Sequence, residues 1–389
     1  MTQPSHAAGS ARVPVWRDVR VLQWVFQLLV LAAVAAVIIW LFGNYVSNAD
    51  RQNIPTSFDF LDNPTSFEIT GNELSQNAPV RDAFVQGLLN TLRVSVVGIV
   101  LATVLGTIIG IGRLSRNWLV RTLSTAYVEA VRNVPLPLFV IFAALAVVLG
   151  VFPRIQEAWE PLGLMVISNR GIAVPWFEGS ALLLLGIVAL SVIVAVVVAR
   201  WRRRVNERTG APARSGLWGI GAALLVLVVG WFASGVELTM PEIEGRATRG
   251  GIRVDPSFFA ILFALVIYTA SHIAEIVRGS IQAVPRGQGE AADALALSSF
   301  QRLWYVVLPQ AFRIGIPPIG NQYLNLIKNS SLGAGIGYYD LTLVTETTVS
   351  NGSPAVPAFT ITLLIYIGIS LVTSAIVNIA NRRLALVER

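Results

Sequence analysis

Eight apolar stretches decide what this chain can become. They run over Val21–Phe42, Leu88–Gly112, Leu136–Phe152, Ala181–Ala199, Leu217–Phe232, Ser257–Val277, Gly315–Gly337 and Pro357–Ala380. Each approaches the ~20 residues that carry a helix across ~30 Å of hydrocarbon. Lipid offers no water to the backbone, so each stretch must close its own hydrogen bonds as a helix. The expected fold is an all-α polytopic membrane protein with about eight transmembrane helices. The first stretch exceeds the apolar run of a signal peptide, so it reads as a retained anchor. Only 13% of residues are charged, against about 25% in soluble domains.

Alternate loops must differ in Arg and Lys if successive helices reverse direction. One set of loops carries twenty arginines. They are Arg12, Arg17 and Arg20; Arg113, Arg116, Arg121 and Arg132; Arg200, Arg202, Arg203, Arg204, Arg208 and Arg214; Arg278, Arg286, Arg302 and Arg313; Arg382, Arg383 and Arg389. The other set holds seven: Arg51, Arg81, Arg154, Arg170, Arg246, Arg249 and Arg253. The bias puts the first set, and both termini, in the cytoplasm. The net charge of +7 does not point to nucleic acid, because the arginines form short clusters between apolar blocks with no basic stripe.

Several chemistries are excluded. No cysteine is present, and the two histidines, His6 and His272, show no metal-ligand spacing. No metal site and no catalytic set is expected. No Walker-A sequence occurs and the string Gly216–Gly221 follows no strand, so any ATP hydrolysis belongs to another polypeptide. The 43–86 segment is acidic, with Asp50, Asp59, Asp62, Glu68, Glu73 and Asp82, and carries turn formers at Pro55, Pro64, Gly71 and Pro79. It reads as an irregular loop on the outer face.

Within the spans, Lys328 is the lone lysine of the chain, among Asn325, Asn329, Ser330 and Ser331. An intramembrane lysine usually faces the bundle interior or a wet cavity; snorkelling to the outer face is the competing account. Arg93 raises the same choice. Gly106 and Gly110, and Gly333 and Gly337, have the spacing of close helix contacts. Gly315-Ile316-Pro317-Pro318 is expected to interrupt a helix. Glu129 with Arg132, and Glu275 with Arg278, are spaced for ion pairs within a helix. His272 reads as a hydrogen-bonded packing residue.

The connection after Val277 has internal order. Gly287 and Gly289 are expected to open a turn. Glu290–Leu297 follows as a helix, with Glu290 and Asp293 in its first turn, where the dipole favours acids. Ser298 and Gln301 have capping-box spacing for a second helix, which Pro309 then interrupts. A short helix held below the membrane suits docking into a partner's groove.

This stretch resembles the EAA loop of ABC-importer permeases, through Glu290-Ala291-Ala292, the small residue Ala296, and Leu308-Pro309. The family usually has Gly at the position of Ala296. If that turn needs a left-handed residue, its geometry here is expected to differ. The polar amino-acid branch is matched by Tyr127-Val128-Glu129-Ala130-Val131-Arg132-Asn133-Val134-Pro135, by His272–Gly279 with Gly287-Gln288, by Asn321-Gln322-Tyr323 and by Lys328-Asn329-Ser330-Ser331-Leu332. The added segments resemble the general L-amino-acid type.

The resemblance implies a five-helix permease core. Residues 1–86 are then an N-terminal anchor helix and polar outer loop, and 87–152 the first part of the core. Residues 153–256 are an inserted pair of helices, and 257–389 the second part, with the coupling loop at 278–313. It implies ATPase coupling through Gly287, Glu290, Ala291, Ala292, Asp293, Ala296, Leu308 and Pro309. A substrate pathway would use Lys328, Asn325, Asn329, Ser331 and Arg93. The implied partners are a cytosolic ABC ATPase dimer carrying ATP and Mg, a second permease subunit, an extracytoplasmic amino-acid-binding protein, the amino-acid substrate and membrane lipid. The place is a bacterial inner membrane. A secondary transporter is the alternative; it would call for inverted repeats and several intramembrane acids.

Overall fold

The computed structural model describes residues 18–69, 74–178, 181–209, 214–245 and 247–384. Arg12, Arg17, Arg246, Arg389, Gly71 and Glu73 lie outside the described residues. The chain is mostly helical, and the eight apolar stretches fall in helix, apart from Gly150–Phe152 and Gly337 at the ends of two of them. Their helices are α1 (Val19–Arg51), α2 (Val80–Gly112), α4 (Leu136–Phe142, continued as a π-turn over Ala143–Leu149), α5 (Ala181–Thr209), α6 (Ser215–Ser234), α7 (Pro256–Gln282), α10 (Leu308–Asn329, continued as 3-10 helix to Ile336) and α12 (Ala355–Leu384).

Six of these, α1, α2, α5, α6, α7 and α12, are long and apolar enough to cross a membrane. Where the sequence suggested a cytoplasmic loop with four arginines, the chain forms α3 (Trp118–Arg132), capped by the Asn117 side chain, which accepts from the N–H groups of Leu119 and Val120. α3 bends by 103° into α4, and the pair counts as a seventh candidate span. The expected span at Gly315–Gly337 is helical, but Asn321, Gln322, Asn325, Lys328 and Asn329 make α10 more polar than the others.

Small residues join the core. On α2, a Cβ at Gly106 would stand 2.7 Å from Ile273 Cβ and 2.8 Å from the Ala270 carbonyl, and one at Gly110 2.7 Å from the Ala274 carbonyl. These two glycines are therefore the seam between α2 and α7, as their spacing suggests. The second pair differs. Gly333 packs against Tyr338 and Ile261, but Gly337 has open space around it and ends the 3-10 turn at φ +79°. Leu326 of α10 joins Val94, Ile261, Leu265 and Ile273 in the buried core.

Two prolines behave otherwise than expected. Pro317 and Pro318 lie inside α10, which runs through them without a break. The helix is held on both sides there: Gly315 backs onto Ser280 of α7 and Gly320 onto Val377 of α12. In lipid, broken backbone would have no water to turn to. Pro309 does not interrupt its helix either. α9 (Ser299–Gln301) passes through a π-turn, Arg302–Val307, into α10. An α-turn would press the Pro309 ring on the Tyr305 carbonyl; the wider turn relieves that clash.

The segments between the spans are more ordered than expected. α1 extends to Arg51 and α2 begins at Val80, which shortens the polar loop. That loop buries Phe60, Phe67 and Ile69 against Phe84 of α2 and against Leu341 and Val344 of α11 (Leu341–Ser350). Among its described residues the 153–256 segment holds its expected helix pair together with seven short strands: β1 (Val166–Ser168), β2 (Gly171–Val174), β3 (Trp176–Glu178), β4 (Glu237–Thr239), β5 (Glu242–Glu244), β6 (Ala247–Arg249) and β7 (Ile252–Val254). β1, β2 and β7 form an antiparallel sheet, with Ala173 opposite Arg253; β3 pairs with β4 and β5 with β6.

Candidate functional site

The sequence places Glu275 three residues before Arg278, and that ion pair forms. Glu275 also takes Arg113, from the end of α2, and lies 3.8 Å from Arg132, at the end of α3. One carboxylate thus ties three helix ends together. The expected pair of Glu129 with Arg132 does not form, because Arg132 turns to Glu275; the Glu129 carbonyl accepts instead from the Asn133 side chain. Arg113 was missed because it looked like an ordinary loop arginine. Two tyrosines of the sequence motifs do similar joining. Tyr127 donates to the Ile267 carbonyl at 2.6 Å, fixing α3 to α7, and the hydroxyls of Tyr323 and Thr103 meet at 2.9 Å, fixing α10 to α2. His272 packs on Tyr268, but its buried Nε2 makes no hydrogen bond, contrary to expectation.

Beyond α7 the chain forms α8 (Arg286–Ala294), started by Pro285. Gly287 and Gly289 therefore lie inside the helix rather than in a turn before it. Glu290 falls in the second turn and Asp293 near the end, where the dipole no longer favours an acid. Asp293 is held there by Arg302, at 2.7 and 2.9 Å to its two oxygens. Gln310 donates to Gln288 at 3.1 Å. α8 is thus clamped onto the following helix at both ends. Ala292 is buried beneath it, while Gly287, Glu290 and Ala291 are exposed. Leu308 is half-buried and Pro309 exposed.

The end of α8 settles the question of Ala296. It adopts φ +54°, the left-handed conformation for which glycine is the usual residue. Its N–H donates to the Asp293 carbonyl and that of Leu297 to the Ala292 carbonyl, the two bonds of a Schellman turn. The geometry is kept, and alanine is strained to keep it. The Ser298–Gln301 capping box then forms in both directions. Leu295, Phe300, Trp304 and Tyr305 are all more than half exposed on this loop. The run Phe300–Tyr305 was the available signal for that surface.

The five substrate-pathway residues do not converge. Arg93 lines a cavity of about 880 Å³ with Asn90, Asp255 and Tyr338, roofed by residues of β2's turn and β7. Ser331 lines a separate cavity of about 340 Å³ with Glu346. Lys328 and Asn325 are exposed on a face of α10 outside both cavities, and Asn329 is half-buried. With Asn321 they form a polar stripe on that face. Asn90 anchors the larger cavity's floor: its side chain donates to the Tyr339 carbonyl and its own carbonyl accepts from the Tyr338 hydroxyl. Beside them Asp340 is fully buried and caps α11, accepting from the Leu343 N–H at 2.9 Å and the Tyr366 hydroxyl at 3.2 Å. Burial pushes its pKa up to about 6, with those hydrogen bonds opposing the rise.

Residues 221–386 match the family described as binding-protein-dependent transport system inner membrane component. The chain is 40% identical to YhdX of Escherichia coli (strain K12), which carries an amino-acid ABC transporter permease name, over 94% of this chain and 95% of that one. It is 40% identical to the general L-amino acid transport system permease protein AapQ of Rhizobium johnstonii, over 100% and 98%. It is 35% identical to the glutamate/glutamine/aspartate/asparagine transport system permease protein BztB of Rhodobacter capsulatus, over 96% of each.

Proposed function

The chain belongs to the binding-protein-dependent transport inner membrane components, and from that membership we propose that it is the permease subunit of an ATP-driven importer that moves amino acids inward across the cytoplasmic membrane. The substrate class rests on the similarity along nearly the whole chain to permeases named for amino acids. Membership in this family favours the importer over a secondary transporter. In this reading the chain performs no chemistry itself. A cytosolic ATPase dimer binds ATP and Mg and hydrolyses the nucleotide, a binding protein delivers the substrate on the outer side, and both termini lie in the cytoplasm.

The observation that carries the coupling half is the clamped α8. Asp293–Arg302 and Gln288–Gln310 brace it against the helix that continues as α10. A push on Glu290 or Ala291 is therefore delivered to α10 and, through Tyr323, to α2. The Glu275 knot keeps the ends of α2, α3 and α7 together during that movement. The polar stripe Asn321, Asn325 and Lys328 is costly against lipid. A second permease chain, identical or homologous, laid over it would enclose the stripe in a shared pathway. Arg93, at the outer cavity, offers a cation to a carboxylate entering from the binding protein.

Reconstitution of this chain in vesicles with a cognate ATPase and binding protein tests the proposal. Uptake of labelled amino acid should require ATP and survive collapse of the ion gradients. Uptake driven by an ion gradient without ATP would return the secondary-transporter reading.

A further inference from the structure

The helix pair of the insert stands apart from the core. α5 and α6 pack on each other, with Gly219 against Ala195 and Ala199, and Gly230 against Ile187. Only 6% of the membrane window of each is buried. The end of this hairpin away from the sheet carries Arg200, Arg202, Arg203, Arg204 and Arg214, against a single acid, Glu207, in the whole of 181–236. α5 and α7 both leave the same strand region and each crosses once, so the hairpin tip lies on the same side as the coupling loop.

These arginines differ from four of the core arginines on that side, although Arg116, Arg121, Arg286 and Arg313 also stand without a carboxylate among the described residues. Arg113, Arg132 and Arg278 meet Glu275, and Arg302 meets Asp293. Among the described residues, Arg200, Arg202, Arg203, Arg204 and Arg214 meet no carboxylate within 4 Å. Two are positioned by the hairpin itself. The Arg202 guanidinium lies 4.9 Å above the Trp218 ring, and Arg203 Nε is 3.5 Å from Ser215 Oγ. Trp218 remains 56% exposed, as suits a ring at the headgroup level.

We propose that this tip is a binding surface for the headgroups of anionic phospholipids, which tether the hairpin on the cytoplasmic side. Among the described residues this charge meets no carboxylate within 4 Å, and the apolar flanks of the hairpin set it among lipids. The planar guanidinium fork matches the two free oxygens of a phosphodiester. Clusters of four or more arginines beside a membrane helix attract anionic lipid in this way. Placing the hairpin in the membrane needs only the positive charges; retaining a particular lipid needs these side chains in this arrangement.

The test is native mass spectrometry of the full chain, purified from micelles containing equal phosphatidylglycerol and phosphatidylcholine. Wild type should retain phosphatidylglycerol in excess by about fivefold, and about 0.5 M salt during lipid exchange should remove most of that excess. The variant R200Q/R202Q/R203Q/R204Q should lose the excess with phosphatidylcholine unchanged. A cysteine at Gly216 of this cysteine-free chain reports whether the hairpin has kept its orientation. If the quadruple variant inverts, Arg202→Gln with Trp218→Leu, which keeps Arg200, Arg203, Arg204, Arg208 and Arg214, decides: about a twofold loss supports the site and no loss overturns it. Equal retention of the two lipids by wild type, or an undiminished excess in a correctly oriented quadruple variant, would show a tip that serves orientation alone and overturn the proposal.

Discussion

The α2–α7 pair and the α5–α6 pair are built from similarly apolar helices, yet they are different kinds of membrane structure. The membrane window of α2 is 33% buried and that of α7 56%, against 6% for α5 and for α6. In the first pair, glycines let backbones touch, tyrosines of α3 and α10 bond onto it, and a carboxylate meets three arginines. In the second, contacts run between the two partners and the rest faces outward. Apolar length brings a helix into the membrane; small residues and satisfied polar groups decide whether it joins a core.

The largest effect that could break this contrast concerns glycine. Gly106→Leu would drive a side chain into Ile273 and the Ala270 carbonyl, and should cost about 3 kcal/mol or more. Gly221→Leu on α6 meets nothing within 4 Å and should cost under ~0.5 kcal/mol. Thermal unfolding of the two solubilised variants checks this, and equal losses would erase the distinction. Next comes the ionic knot. Glu275→Gln leaves Arg113, Arg132 and Arg278 without their shared partner. Its side chain is 28% exposed, so the cost should fall below that of a fully buried pair, at about 2 kcal/mol. Denaturation of the variant should show no such loss for Arg204→Gln at the hairpin tip.

A third prediction uses pH. Asp340 has its pKa raised to about 6 in the fold, from 3.8. Folding therefore favours its protonated form. That contribution is complete below about pH 4 and is lost as pH rises through about 6, a difference of about 2–3 kcal/mol. Comparing unfolding of wild type and Asp340→Asn at pH 4.5 and 7.5 should show this dependence in wild type alone. The smallest effect is at the end of α8. Ala296→Gly removes the left-handed strain and should stabilise the turn by about 1 kcal/mol. Slower hydrogen exchange at Leu297, which donates to Ala292, is the measurement.

These sites also mark what the sequence made readable. Apolar length located every long helix, because lipid leaves the backbone no alternative. Gly106 and Gly110 were readable because their spacing puts them on one face, and the Ser298–Gln301 box because it is local. α3 escaped: it is amphipathic and its arginines resemble loop charges. The strands escaped because they are three or four residues long, and Ala173 meets Arg253 across the whole hairpin. Pro317 and Pro318 misled because proline's local preference yields to the helices that flank it. Lys328 could be placed within its helix from sequence, but the face it occupies depends on how α10 packs. The left-handed Ala296 ran against local preference, held by two hydrogen bonds that only the folded turn shows.

We propose that an ATPase drives this bundle through α8 and not through the hairpin tip on the same side. Single cysteines at Ala291 and Gly216, both exposed, can be labelled with a membrane-impermeant maleimide in inverted vesicles, with and without the cognate ATPase. The ATPase should strongly protect position 291 and leave position 216 unprotected. Equal labelling of position 291 in the two conditions, or protection of 216 alone, would contradict it.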